Sequence, residues 1–305
     1  MSGSNVASRL WDRIRRRDDF EPDWGWVLDD SRRKWMAEHT SGVTKPDPAL
    51  VIKNLRRTFG GLTAVDVDHL EIQRGVITAL IGPNGAGKTT LFNLLTGFDR
   101  PDSGSVLFDG RDIERMRSHV RARKGLVRTF QLTKALTKLS VLENMKLGAR
   151  GQVGEGFARS LVPPLWRAQE RAIEERAMEL LERFSLAHMA SEYAGTLSGG
   201  QRKLLEMARA LMSRPAVVML DEPVAGVNPA LTQSLLEHVR ELPIEGMTVI
   251  FVEHDMDVVW DISDWVVVMA EGKVIAEGLA EDIGKNQAVI DAYLGSGDDN
   301  NGEAP

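Results

Sequence analysis

The chain has 305 residues, of which 43% are hydrophobic and 27% charged, an ordinary globular usage that excludes wholesale disorder and fibrous architectures. It has no cysteine, which excludes disulfides and thiolate metal sites, and its formal net charge of -6 argues against nucleic acid as the main partner. The longest apolar runs, such as Met247 to Val252, fall far short of the ~20 residues that span a bilayer. Met1 to Ser8 lack the apolar core of a secretory signal, so a cytoplasmic location is expected.

Residues 1 to 47 read as an extension rich in Trp and Arg. They carry Trp11, Trp24, Trp26 and Trp35, and Arg9, Arg13, Arg15, Arg16 and Arg17 surround Leu10, Trp11 and Ile14. A basic helix of this kind suits a membrane surface, whereas Asp18, Asp19, Glu21 and Asp23 dilute its field and suit an arm folded on its own subunit or a flexible tail.

Beyond the extension, Leu50 to Ile52, Val67 to Ile72 and Val76 to Ile81 read as strands. The next segment, Gly82-Pro83-Asn84-Gly85-Ala86-Gly87-Lys88-Thr89-Thr90, fits G-x-x-x-x-G-K-[ST] and opens a helix marked by Leu91, Phe92, Leu94 and Leu95. Glycines at such a turn let backbone N–H groups close around phosphate oxygens. In such a loop Lys88 reaches the outer phosphates and Thr89 can ligate Mg²⁺. Residues about 135 to 213 look mainly helical, with apolar spacing near 3.6 in Val141 to Leu147, Ala168 to Phe184 and Gln201 to Met212.

Within that lobe, Leu197-Ser198-Gly199-Gly200-Gln201 precedes a helix and offers a second anion site. Ser198 taken alone is also a common N-cap. Val217 to Leu220 is a buried strand ending in Asp221 and Glu222, where Asp221 can hold a Mg²⁺ shell and Glu222 can polarise a water. Val249 to Val252 ends in Glu253-His254-Asp255, which brings an imidazole to a strand end, and Val266 to Met269 is a further strand. Helices near Pro229 to Glu241 and Met256 to Ile262 complete the βαβ rhythm of a parallel sheet. The tail 295–305 has little to bury and is expected to be disordered.

This set of motifs, in this order, resembles the nucleotide-binding subunit of ATP-binding cassette (ABC) transporters over residues 48–294. The resemblance implies an α/β P-loop NTPase domain with a RecA-like parallel sheet, an antiparallel β part and a helical subdomain. It implies ATP and Mg²⁺ as ligands, with Gly82 to Thr90, Ser198, Gly199, Gly200 and Gln201 on the nucleotide. Lys88, Glu222, His254 and Gln131 are then the catalytic set, and Thr89, Gln131 and Asp221 the metal set. Gln131 senses the metal and the attacking water and faces the membrane subunit. Phe59, 29 residues before Lys88, is the adenine-stacking aromatic, with core packing as its structural alternative.

Ser198 lies 110 positions beyond Lys88, in the helical lobe, so two chains are expected to complete each site. The resemblance implies that the partner is a second ABC ATPase subunit, identical or different, in a head-to-tail pair. Phe59 to Val65, Leu91 to Gly97, Glu222 to Pro229, Gly272 to Gly278 and Val289 to Gly295 look like the branched-chain amino-acid importer ATPases. Gly199 departs from the Tyr common there. Integral membrane permease subunits, and indirectly a periplasmic or external solute-binding protein, are the implied partners, with this chain peripheral on the inner face of the membrane. A soluble ABC ATPase of the iron–sulfur scaffold type is the competing reading.

Overall fold

The computed structural model describes residues 42–129, 137–150 and 163–295, with side chains throughout except at 163–167 and 294–295. In chain order they form β1 (Pro48–Phe59), β2 (Leu62–Gln73), β3 (Ile77–Ile81), α1 (Lys88–Thr96), β4 (Ser103–Phe108), β5 (Arg111–Asp112), α2 (Ser118–Lys124), β6 (Leu126–Arg128), α3 (Val141–Lys146) and α4 (Pro163–Arg183). There follow α5 (Gly199–Leu211), β7 (Val217–Asp221), α6 (Pro229–Glu241), β8 (Thr248–Val252), α7 (Met256–Ile262), β9 (Trp265–Ala270), β10 (Lys273–Gly278), α8 (Ala280–Ile283) and α9 (Gln287–Gly295). The chain divides into two compact units, Met1–Met116 with Ile250–Pro305, and Arg117–Val249.

In the first unit, β1 pairs antiparallel with β2 and with β4, placing Leu50 opposite Ile72 and Phe108. Both β1 and β2 run for 12 residues, well past the apolar stretches expected at 50–52 and 67–72. One face of each strand is polar and exposed, as at Lys53, Arg56 and Asp68, so an apolar run marks only part of each strand. β3 is buried at all five positions and pairs in parallel with β9, which pairs antiparallel with β10. Such double-sided burial is the expected environment of a near-continuous apolar strand. Short elements such as β4, β5 and α2 lack a local apolar period and were not separable from turns by sequence alone.

Residues 42–47 are bound to this unit. The amides of Gly42 and Val43 donate to Glu277 Oε1 at 2.6 and 3.0 Å, and Lys45 Nζ donates to Glu277 Oε2 at 2.7 Å. Trp265 Nε1 donates to the same Glu277 oxygen at 3.0 Å while Lys45 lies 4.3 Å from the Trp265 ring centre. Both charged side chains have no solvent exposure, and the shared hydrogen bonds offset the desolvation such burial demands.

The second unit holds the helical region together with two strands of its own, β6 and β7, paired in parallel from Leu126↔Val217 to Arg128↔Met219. The helices α3, α4 and α5 pack on one another. Met145, Leu180, Leu181, Phe184, Leu204, Leu205 and Leu211 form their buried seam, at the spacing that an amphipathic helix requires. Capping boxes at Ser140/Glu143 and Ser198/Gln201 start α3 and α5, each occupying amides that a helix N-terminus leaves unpaired.

Candidate functional site

The phosphate loop leaves β3 and enters α1. A Cβ on Gly82 (φ +150°) would stand 2.0 Å from the Met269 carbonyl oxygen, and one on Gly87 (φ +95°) 2.2 Å from that of Ala64, so only glycine fits either place. Gly85, at φ +81°, has no atom within 4 Å of a Cβ position, and Asn84, Gly85 and Thr89 are exposed. Ala86 is buried, its amide donating to Pro83 O at 3.2 Å and its carbonyl accepting from Gly272 N–H at 3.1 Å.

Helix α1 begins with Gly87 as N-cap, without a side-chain cap and without an acid in its first turn. Amides at such an end point outward with positive potential, and the glycines leave room for phosphate against them. These residues therefore fit a nucleotide phosphate. Lys88 is buried, and its Nζ donates to the carbonyls of Gly82 at 2.6 Å and Pro83 at 2.9 Å, holding the ammonium against the loop. Thr90 is half-buried beside it in the same turn.

Tyr293 of α9 is a contact that sequence reading missed. Its hydroxyl accepts a hydrogen bond from the Gly82 amide, and burial pushes the phenol up to about 12. In the sequence, Val289 to Gly295 shows only a subfamily pattern. Nothing local in it signals a contact some two hundred positions away in the chain.

Phe59 ends β1 and is 47% exposed, which excludes core packing. The Arg57 guanidinium lies 4.5 Å from its ring centre and is itself held by Asp99 and Asp102 at 2.9 Å each. The ring is thus presented as a supported, accessible aromatic surface. His254 is exposed just after β8, its amide donating to Glu253 Oε2 at 3.2 Å, and Asp255 caps α7 by accepting from the Asp257 amide.

The second unit carries the carboxylates and the Ser198 turn that the sequence suggests as a second anion site. Asp221 ends β7, and Arg128 Nη2 donates to its Oδ2 at 2.5 Å. Beside it, Glu222 has φ +46°, a left-handed conformation unusual for a residue with a Cβ. The Glu222 carbonyl accepts from the Ala225 amide at 3.2 Å and from Lys203 Nζ at 3.0 Å. Ser198 is indeed an N-cap, accepting from the Gln201 amide at 3.2 Å, while the Gln201 side chain accepts from the Ser198 amide at 2.9 Å. That bond turns the Gln201 carboxamide back onto the cap. Ser198 and Gly199 stay exposed, and Gly200 is buried where a Cβ would meet Leu231 Cδ1 at 2.6 Å. Asn228 caps α6, its Oδ1 accepting from the Leu231 amide at 3.0 Å. Gln131 lies outside the described residues.

Among the described residues no three His, Cys, Asp or Glu side chains converge as a metal cage. The exposed Thr89 hydroxyl in the first turn of α1 is an oxygen donor of the kind Mg²⁺ takes, the ion completing its shell with phosphate and water. The second unit also contains a cavity of about 920 Å³ lined by Arg123, Arg128, Thr129, Leu147, Arg150 and Arg209 among others.

Residues 65–225 match the ABC transporter family, and residues 273–299 match the branched-chain amino acid ATP-binding cassette transporter family. The chain is 45% identical over 249 residues to a probable branched-chain amino acid transport ATP-binding protein LivG of Archaeoglobus fulgidus, covering 82% of this chain and 96% of that one. It is 42% identical over 250 residues to the high-affinity branched-chain amino acid transport ATP-binding protein BraF of Pseudomonas aeruginosa, covering 81% and 98%. In structure it is similar to an ABC-transporter ATP-binding cassette in its ADP conformation, with TM-score 0.70, 36% identity, and coverage of 81% and 99%. A dimeric bacterial ABC transporter cassette is also similar, with TM-score 0.63, 25% identity, and coverage of 76% and 98%.

Proposed function

Since this chain belongs to the ABC transporter ATP-binding family and is an ATPase motor subunit of that class, we propose that it drives import of branched-chain amino acids or a closely related small polar solute. The observation that carries the substrate class is the match of residues 273–299 to the branched-chain cassette family, beyond the general ABC region. The competing reading, an ATPase acting on a cytosolic assembly, is not favoured, because the relatives matched over four fifths of the chain are transport proteins.

The site residues divide the work as follows. Backbone amides from Gly82 to Thr90 bind the phosphates, and Lys88 offsets charge developing on the outer one. Phe59 stacks on the base. Glu222 and Gln131 orient and polarise the attacking water, and His254 stabilises charge on the transferred phosphoryl group. Thr89, Asp221 and Gln131 would hold a Mg²⁺ ion that neutralises phosphate charge when bound. Asp221 would then divide its oxygens between that ion and Arg128.

Ser198 and the exposed amide of Gly199 complete the site on a second cassette, so that each nucleotide lies between two chains. No helix among the described residues is long and apolar enough to cross a membrane. On this reading integral membrane permease subunits supply the pathway, and this chain is peripheral to them on the inner face of the membrane, as the transport names of its relatives support. We assign its docking to the Arg-lined cavity of the second unit, because Thr129 on its wall leads directly into Phe130 and Gln131.

Transport in proteoliposomes tests the reading. The chain, with the permease and solute-binding protein from its own gene neighbourhood, is expected to drive ATP-dependent uptake of labelled leucine, isoleucine or valine. Uptake of an unrelated solute alone, or ATP turnover that no permease affects, would reject it.

A further inference from the structure

The turn that starts α5 and the segment that carries Glu222 form one packed block inside the second unit. A Cβ on Gly200 would meet Leu231 Cδ1 at 2.6 Å and Val227 Cγ1 at 3.4 Å, so the helix start lies directly against residues 227–231. Gly199 faces the Gly226 carbonyl, with 3.9 Å from its Cβ position. Across this contact runs one charged link, since Lys203 of α5 is half-buried and donates from Nζ to the Glu222 carbonyl at 3.0 Å.

That carbonyl belongs to a residue at φ +46°, a backbone state which side-chain-bearing residues keep only when neighbours hold them there. The Ala225 amide holds it from within the same turn, and Lys203 holds it from the helix that begins at the Ser198 anion site. A movement of that helix start is therefore felt at the glutamate backbone. Two features make Lys203 more than a solvated surface lysine: its end is turned inward onto a main-chain oxygen, and that oxygen belongs to the strained residue.

We propose that Lys203 is a positioning residue for Glu222. It keeps the glutamate in the left-handed conformation that aims its carboxylate, and it links engagement of the Ser198 turn by nucleotide to the competence of Glu222 in the same chain. This rests on the reading of Glu222 as the residue that polarises water.

Steady-state ATPase kinetics of the purified full chain test it. Lys203→Met is expected to lower kcat about tenfold or more, the usual effect of losing a hydrogen bond from a charged donor, with KM for ATP changed less than twofold. Lys203→Gln, whose shorter side chain does not span the gap, is expected to behave alike, and Lys203→Arg, which keeps a charged donor, to recover most of kcat. Measured on the residual rate of Glu222→Gln, Lys203→Met is expected to add little, because a residue acting through the carboxylate has nothing left to act on.

An unchanged kcat, a change confined to KM, or an equal fractional loss in the Glu222→Gln background each overturns the proposal. A Glu222→Gln variant turning over at the parental rate instead removes the underlying assignment, and the proposal with it.

Discussion

Asp264, at the foot of β9, shows how one buried carboxyl tunes the strand that presents the phosphate loop. It is almost fully buried and accepts from the Ile77 amide at 2.7 Å, at the start of β3. Burial outweighs that hydrogen bond and pushes the acid from 3.8 up to about 7. Between those values the folded chain holds a proton that the unfolded chain has released. Stability from this group therefore falls as pH rises from about 4 to about 7, and above that the full penalty remains, on the order of 4 kcal/mol. Asp264→Asn keeps an acceptor for Ile77 without the titration. Its urea midpoint is expected to exceed the parent's at pH 8 and to approach it at pH 5, and a gap independent of pH would contradict the account. Glu222 is the opposite case at this scale: its constraint is in the backbone, at φ +46°, and no residue type in the sequence announces it.

Among the elements, β10 has a role that its exposed and half-buried beginning conceals. Its Glu277 collects four donors, the amides of Gly42 and Val43, the Lys45 ammonium and the Trp265 indole, and so fastens the segment before β1 to β9 and β10. Lys45→Met leaves that carboxylate buried without its countercharge, and a loss of about 3 to 5 kcal/mol is expected, read as a lower urea midpoint at neutral pH. Replacing Glu277 as well, with Leu, is expected to restore little, because the three neutral donors then lose their acceptor. Full recovery in the double variant would show that the ion pair alone mattered. The helix starts differ in their caps. Ser140, Ser198 and Asn228 cap theirs with side chains, whereas Gly87 leaves the start of α1 without one, an arrangement that suits a phosphate ligand.

For the molecule as a whole, the proposed mechanism makes the phosphate loop and the Ser198 turn complementary halves, which two chains are needed to bring together. Glu222→Gln is expected to bind ATP, to turn it over roughly 10²- to 10³-fold more slowly, and to accumulate as an ATP-dependent dimer in size-exclusion chromatography with light scattering. Full-speed hydrolysis by a strictly monomeric protein would remove the two-chain mechanism. The cassette family was legible in the sequence because its motifs are short, contiguous and tied to strand ends: Gly82 to Thr90 after β3, and Asp221-Glu222 after β7, stand where apolar runs place them. β4, β5 and β6 were not legible, since their strand character comes from partners distant in the chain.

By itself the sequence determined the chemistry on offer: a glycine turn for phosphate, two acids after a buried strand, a histidine after another, and a serine–glycine turn before a helix. Local spacing suffices for these because each depends on the end of a single strand or helix. Only the tertiary structure decided that Phe59 is an exposed surface backed by Arg57, that Tyr293 meets the first loop amide, and that Lys203 holds the Glu222 carbonyl. Their geometry follows from packing within each unit, down to the placing of neighbours such as Arg57 and Phe59, and no local pattern of residues encodes it.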